Sequence, residues 1–156
     1  MRLALFQPDI AQNTGTLLRL GACLDLPIDI IEPCGFLFND KGLKRAGMDY
    51  LDMADFRRHA SWDDFLLYRE EHQDQYGRLV LLTTHASIPY TSFEFAKNDI
   101  ILMGRESAGV PDIVHQTVDA RLLIPMNKNA RSLNVAVSAV MVIGEALRQT
   151  NLFPQI

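Results

Sequence analysis

Cysteine is scarce in this chain, and its arrangement excludes more than it suggests. Cys23 and Cys34 are the only two. They form no C-x-x-C pair and do not cluster with His59, His72, His85 or His115, so no spacing suits a structural zinc site and the usage fits a reducing compartment. Both read as small buried hydrophobes. Also missing is any apolar run near the roughly 20 residues of a membrane span, and the N-terminal "MRLALFQPDI" has too short an apolar stretch for a signal peptide. A soluble, intracellular, cytoplasmic protein is expected. There is no excess of basic charge: 15 Lys and Arg stand against 19 Asp and Glu, a formal net charge of −4. That balance argues against wholesale nucleic-acid binding but leaves room for local basic clusters. Neither a G-x-G-x-x-G dinucleotide turn nor a G-x-x-x-x-G-K-[ST] phosphate loop occurs, so the usual nucleotide folds fit poorly.

What is present is enough apolar material for a real core. With 156 residues, 48% of them hydrophobic, the chain fits one globular domain over residues 1–156, without repeat, linker or appended RNA-binding domain. Short apolar runs alternate with segments of helical period, the signature of an α/β fold with a mostly parallel sheet flanked by helices. "RLALF", "PIDII", "RLVLLTT", "DIILM" and "ARLLIP" read as strands, several apolar on both faces, and "DMADF" as a short edge strand. Helices are expected over residues 13–24, 62–71 and 132–149. The last, "SLNVAVSAVMVIGEALRQ", is apolar almost all round, with a narrow polar stripe through Asn134, Ser138, Glu145 and Gln149. Such a helix is buried on more than one side. Either a second copy of the chain covers the extra face, giving a homodimer packed through this helix, or it is the central core helix of a monomer.

Three polar segments follow or begin these elements, where α/β proteins place their ligands. In "GRESAGVP", Gly104 ends a strand where a side chain would obstruct close backbone approach, Gly109 permits a positive φ, and Pro111 suits the first turn of a helix. By itself this is a tight strand-to-helix turn. In "QPDIAQNTGTLLRLGA", Asn13 is a plausible helix N-cap, and Gly15, Thr16 and Arg19 share a helical face with little bulk beneath the guanidinium. An arginine so presented can grip a phosphate bidentately, though a solvated helix arginine has the same signature. In "LIPMNKNARSLNVAVSA", a strand ends at Ile124 and Pro125, and Ser132 starts and caps the long helix.

Taken in this order, the three segments resemble the SPOUT methyltransferases, the trefoil-knotted family that modifies RNA. The carriers are an Asn-Thr-Gly with an Arg six residues after the Asn, a G-x-E-x-x-G-x-P after a late strand, and an I-P-M followed by R-S-L-N. The match covers nearly the whole chain. "IIEPCGF" and "LKRAGMDY" look like the small subgroup that methylates the 2'-hydroxyl of cytidine or uridine 34 in tRNA. Arg105 departs from the family pattern, which often has proline there, and Gly144 stands where some members carry an aromatic residue.

The resemblance implies a C-terminal deep trefoil knot, which patterning would never yield, since true knots are nearly absent among proteins. It implies S-adenosyl-L-methionine as cofactor, held in the knot chiefly by backbone groups, and an active site completed across a homodimer interface. Carried over by motif, the cofactor contacts are Leu82, Thr83, Gly104, Ile124, Met126, Ser132 and Leu133. Arg19 matches the family's site arginine, with Asn13 orienting the same region, and both are taken as catalytic. Because an arginine is always protonated in a protein, Arg19 clamps a substrate phosphate or polarises the 2'-hydroxyl and is not the base. Glu106 orders its loop or pairs with a cation. Basic residues for a tRNA anticodon stem-loop are sought in "KGLKRAG" and "DFRRHA" and beside the cofactor loop, with Lys44, Arg45 and Arg131 as RNA contacts. Solvated surface is the plainer account of such runs. No metal and no membrane are expected. The alternatives are a related 2'-O-methyltransferase acting on rRNA or another tRNA position, a non-catalytic knotted RNA-binding dimer, and an ordinary flavodoxin-like signalling domain. The last would need an acidic cluster after the first strand, where Asp9 stands alone.

Overall fold

The computed structural model describes residues 1–38 and 41–156. Strand β1 (Arg2–Phe6) leads into helix α1 (Ala11–Leu24), β2 (Ile28–Ile31) and α2 (Lys41–Gly47), which a 3-10 turn, Met48–Asp52, extends. β3 (Phe56–His59), α3 (Trp62–Glu71), β4 (Leu79–Leu82) and the two-residue β5 (Ile88–Pro89) follow. The chain continues through β6 (Ile100–Met103), α4 (Asp112–Thr117) and β7 (Ala120–Leu123) and closes with α5 (Val135–Thr150). Among the described residues every strand pairing is parallel, in the order β3-β2-β1-β6-β4-β7-β5.

Strand periodicity divides the core in two. Leu3, Leu5, Ile101 and Met103 face Leu17 and Leu18 of α1 and Ala139, Val142 and Ile143 of α5. Their neighbours Ala4, Phe6, Ile100 and Leu102 point the other way, onto Trp62 and Phe65 of α3 and Val114 of α4. Burying each large aliphatic or aromatic side chain of these layers contributes about 1.5–3 kcal/mol, which is why the central strands are apolar on both faces.

Several sequence expectations shift. The edge strand is not "DMADF" but "FRRH", which starts four residues later, at Phe56. Two consecutive exposed arginines, Arg57 and Arg58, at a sheet edge read as a basic run and not as a strand, and they also blunt the edge. Arg57 stacks on Tyr68 at 4.3 Å, and Arg58 lies over Phe38 and pairs with Glu32, so that run is largely spent within the fold. Cys23 is exposed and Cys34 half-buried, so neither is a core hydrophobe. The space beneath Gly15 is not open: a Cβ there would lie 2.6 Å from the Leu43 carbonyl oxygen and 2.8 Å from Ala46 Cβ, so this glycine lets α1 and α2 approach closely.

Where the strands begin, charge is closely matched. Buried Asp29 accepts hydrogen bonds from Arg2 Nε and Tyr76 Oη and pairs with buried His59 Nε2, each at 2.8 Å. Arg78 forks onto buried Asp99 at 2.8 and 2.9 Å. Arg69 donates to the Gly77 carbonyl and to Asp119, which also accepts from the Leu79 amide.

Candidate functional site

All the strands being parallel, the loops after β1, β4, β6 and β7 emerge at one end of the sheet, the edge at which α/β folds bind ligands. They enclose a cavity of about 500 Å³. Its floor is the ends of β4 and β6, with Leu82, Thr83 and Gly104, and its far wall is Ile124 and Met126 after β7. Ser132 and Leu133 close it from the loop before α5, and Asn13 of α1 from the other side. Every residue expected to hold a cofactor, together with Asn13, therefore lines one space. Arg19, Lys44, Arg45 and Arg131 do not line it. Arg19 lies on the exposed face of α1 with its guanidinium 4.9 Å from the Tyr50 ring centre, and Lys44 and Arg45 are exposed on α2, which packs on α1. Arg131 is exposed in the loop between β7 and α5.

The loop after β6 is a clasp. The amides and carbonyls of Arg105 and Gly109 exchange hydrogen bonds of 3.0 and 2.9 Å. A Cβ on Gly104 would come within 2.9 Å of the Gly109 carbonyl carbon, and Gly109 itself has φ +62. Both glycines are thus required by the turn, and the close approach at Gly104 is by Gly109. Pro111 stands at the cap of α4, just ahead of its first turn.

Carboxylates and amides fasten this clasp to the two other loops. Glu106 accepts from the Asp9 amide at 2.8 Å and from Asn13 Nδ2 at 3.1 Å. Asp9 in turn accepts from the Ser107 amide and hydroxyl. Asn13 Oδ1 accepts from Asn134 Nδ2 at 3.0 Å, and Asn134 Oδ1 caps α5 by accepting from the Ala136 and Val137 amides. Two expectations are corrected here. Asn13 is no N-cap, because α1 begins at Ala11 after Ile10, and its side chain is turned to neighbouring loops. Ser132 neither starts nor caps the last helix; Asn134 does. Ser132 lies ahead of the helix, on the cavity wall.

Several lining residues carry no sequence signal of their own. His85 and His115 face each other across the mouth with ring centres 6.3 Å apart. Asp9 looks like an isolated acid until the fold brings Ser107 to it. Cys34 sits near this end of the sheet, and burial together with the charge of Glu32 raises its thiol to about 11, so it is no thiolate nucleophile at neutral pH. Among the described residues no group of three or more His, Cys, Asp or Glu is placed to hold a metal ion, and no helix is long and apolar enough to cross a membrane.

The cavity is mixed in character, with hydroxyls of Thr83, Thr84 and Ser132, loop backbone, and the apolar Leu82, Ile124 and Met126. Its volume lies within the range of small-molecule sites. Outside it, α5 leaves Val137, Val140 and Met141 exposed at 51%, 47% and 37%, continuous along the chain with Leu133 at 40%.

Comparison with known proteins gives a consistent result. Residues 1–144 match the model of the SpoU rRNA Methylase family. A tRNA (cytidine(34)-2'-O)-methyltransferase from Ancylobacter novellus is 54% identical over 98% of this chain and 95% of its own. A solved structure described as giving insight into the 2-OH methylation of C/U34 on tRNA superposes with a TM-score of 0.88 at 36% identity, covering 95% of this chain and 94% of that one. An AdoMet-bound rRNA methyltransferase from Sinorhizobium meliloti superposes with a TM-score of 0.83 at 25% identity, over 94% of this chain and 55% of that one.

Proposed function

This chain belongs to the SpoU rRNA Methylase family, and on that premise we propose that it methylates the 2'-hydroxyl of the wobble nucleotide, cytidine or uridine 34, in tRNA. The relative at 54% identity over nearly the full length is named for this reaction at cytidine 34, and the solved structure at 36% identity concerns C/U34. The observation from the molecule itself that carries the reading is the single cavity of about 500 Å³ into which four distant segments deliver Asn13, Leu82, Thr83, Gly104, Ile124, Met126, Ser132 and Leu133.

The mixed lining fits S-adenosyl-L-methionine, whose adenosine offers polar edges and an apolar face. Backbone and hydroxyl groups at Leu82, Thr83, Gly104, Ile124, Met126, Ser132 and Leu133 hold it. When bound, the cofactor supplies a sulfonium methyl group as electrophile. What the chain contributes is position, the largest lever available to such a displacement. A guanidinium is not a general base in proteins, so Arg19 clamps a substrate phosphate, or polarises the ribose hydroxyl while a phosphate or water takes its proton. Tyr50, stacked on it, limits where the guanidinium reaches. Asn13, with both ends of its amide committed to Glu106 and Asn134, acts by holding loops and not on substrate.

The partner reading follows from surface chemistry. The exposed strip Leu133, Val137, Val140 and Met141 is covered by a second copy, giving a homodimer through α5. Lys44 and Arg45 on α2, which packs on α1, and Arg131 in the loop that carries Ser132 to the cavity contact the anticodon stem-loop. The knot is supported by chain order: β7 is inserted between β4 and β5 after β6 has already been laid on the other side of β4. Residues 1–156 act as one methyltransferase domain, in the cytoplasm where tRNA is.

The test is transfer of label from S-adenosyl-L-methionine to tRNA lacking the modification, followed by mapping of the methylated nucleotide. Label on the ribose of nucleotide 34 is the expected result. Label confined to rRNA or to another tRNA position would replace the substrate and keep the chemistry, and absence of cofactor binding would remove the assignment.

A further inference from the structure

The partly buried arginines Arg2 and Arg69, and the exposed Arg78 over buried Asp99, are each answered by a carboxylate. Arg2, Arg69 and Arg78 each pair with Asp29, Asp119 and Asp99 in turn. Arg105 is the departure. Its Nε is buried and has no hydrogen-bond partner among the described residues, and no carboxylate there lies within ion-pair distance of it. The acids beside it in sequence or space are engaged elsewhere, Glu106 by Asp9 and Asn13, Asp9 by Ser107. Its nearest ring is Phe6, 5.9 Å from the guanidinium carbon. The other buried donor without a partner, Trp62 Nε1, belongs to a ring packed edge-on against the same Phe6. Meanwhile the Arg105 backbone is locked by its paired bonds to Gly109, so the side chain starts from a fixed point in the cavity wall.

The geometry points to Arg105 as an oxyanion-binding residue of this cavity. A guanidinium with an unused buried donor matches a carboxylate or phosphate in shape and charge, and burial strengthens the bond it forms. The assignment rests on the methyltransferase reading, which offers two sources of that chemistry: the carboxylate of S-adenosyl-L-methionine and a phosphate of the RNA.

Binding, not turnover, separates them. Dissociation constants are measured for wild type, Arg105→Ala and Arg105→Gln with S-adenosyl-L-methionine, with 5'-methylthioadenosine, which lacks the carboxylate, and with an anticodon stem-loop RNA over a range of salt. Arg105→Ala is expected to weaken one ligand by between about tenfold and a hundredfold, the size of a lost charge-assisted hydrogen bond. If the carboxylate is the ligand, the variant loses the preference of wild type for S-adenosyl-L-methionine over 5'-methylthioadenosine. If a phosphate is, cofactor affinity holds and the slope of log K against log salt becomes shallower by about 0.7–0.9. Arg105→Gln keeps an N–H donor without the charge, and affinities equal to wild type in this variant overturn the proposal, as do unchanged affinities in Arg105→Ala. Wild type that binds neither ligand brings down the methyltransferase reading, and the proposal with it.

Discussion

The two ends of the sheet handle charge in opposite ways. Where the strands begin, Arg2, Arg69 and Arg78 are each matched to an aspartate, and Asp29 and Asp99 are wholly buried. Where the strands finish, Arg105 keeps a buried donor unused, and Ile10 and Leu133 stand exposed at 42% and 40% on the cavity wall. One end is internally satisfied and can only lose by change. The other has been left with unmet contacts, which is what a surface needs if something is to bind there.

Substitutions at the satisfied end are expected to act on stability. The largest effect is expected for Asp29→Ala, which strands the Arg2 guanidinium, His59 and the Tyr76 hydroxyl in the interior. Breaking a buried pair of this kind costs about 3–5 kcal/mol, to be read as a fall in the urea unfolding midpoint. Its carboxyl carries a pH signature too. Burial alone would raise its pKa, but the hydrogen bonds from His59, Arg2 and Tyr76 outweigh that and hold it below the ordinary 3.8. The stabilisation is therefore present above pH 3.8 and lost as pH falls through the lower folded value. Unfolding curves taken downward from pH 5 should show a steeper acid decline in wild type than in Asp29→Asn.

For the cavity and for the substrate contacts proposed outside it, the readout is function. Arg19→Ala is expected to lower kcat by about 10²–10³, comparable to losing a donor aimed at developing charge, with S-adenosyl-L-methionine affinity unchanged in calorimetry. Unchanged turnover would remove Arg19 from the reaction. Gly104→Ala drives a methyl group into Gly109 and should cost about 1–3 kcal/mol of overpacking, seen first as weaker cofactor binding and only then in the melting temperature. The smallest change is expected for Asn134→Ala, about 1 kcal/mol for the lost cap, accompanied by faster amide exchange in the first turn of α5. If Asp29→Ala instead abolished cofactor binding in protein that remains folded, the division between the ends would fail.

Much of this was legible in the amino-acid order. β1 and α3 lie at the expected residues; one is a continuous apolar run, and the other proves to be capped by Ser61, whose hydroxyl accepts from the Asp64 amide at 3.0 Å. β3 was hidden by Arg57 and Arg58, and β5 by its two-residue length. Ser132 and Asn134 are equally good caps by residue type; in the fold it is Asn134 Oδ1 that accepts from the Ala136 and Val137 amides, while its Nδ2 reaches Asn13, 121 positions away in the chain. The cofactor residues were legible through the combined motifs and not through any one of them. That Arg105 would lack a partner was not legible at all, since it depends on where Asp9 and Glu106 are drawn by groups remote in sequence.

The amide of Asn13 gives the three loops a direction. Glu106, as a carboxylate, can only accept, so Asn13 must present its nitrogen to it and its oxygen to Asn134, which must then turn its own oxygen to the α5 amides. Polarity runs one way along the whole line, from a helix end through two side chains to a single acid. An aspartate at position 13 would set two acceptors face to face on one side and keep the bond on the other, so a change of one atom would split the clasp from the rest while leaving α1 intact. The loops after β1, β6 and β7 are in that sense wired in series, and a break at any link parts the segments on either side of it.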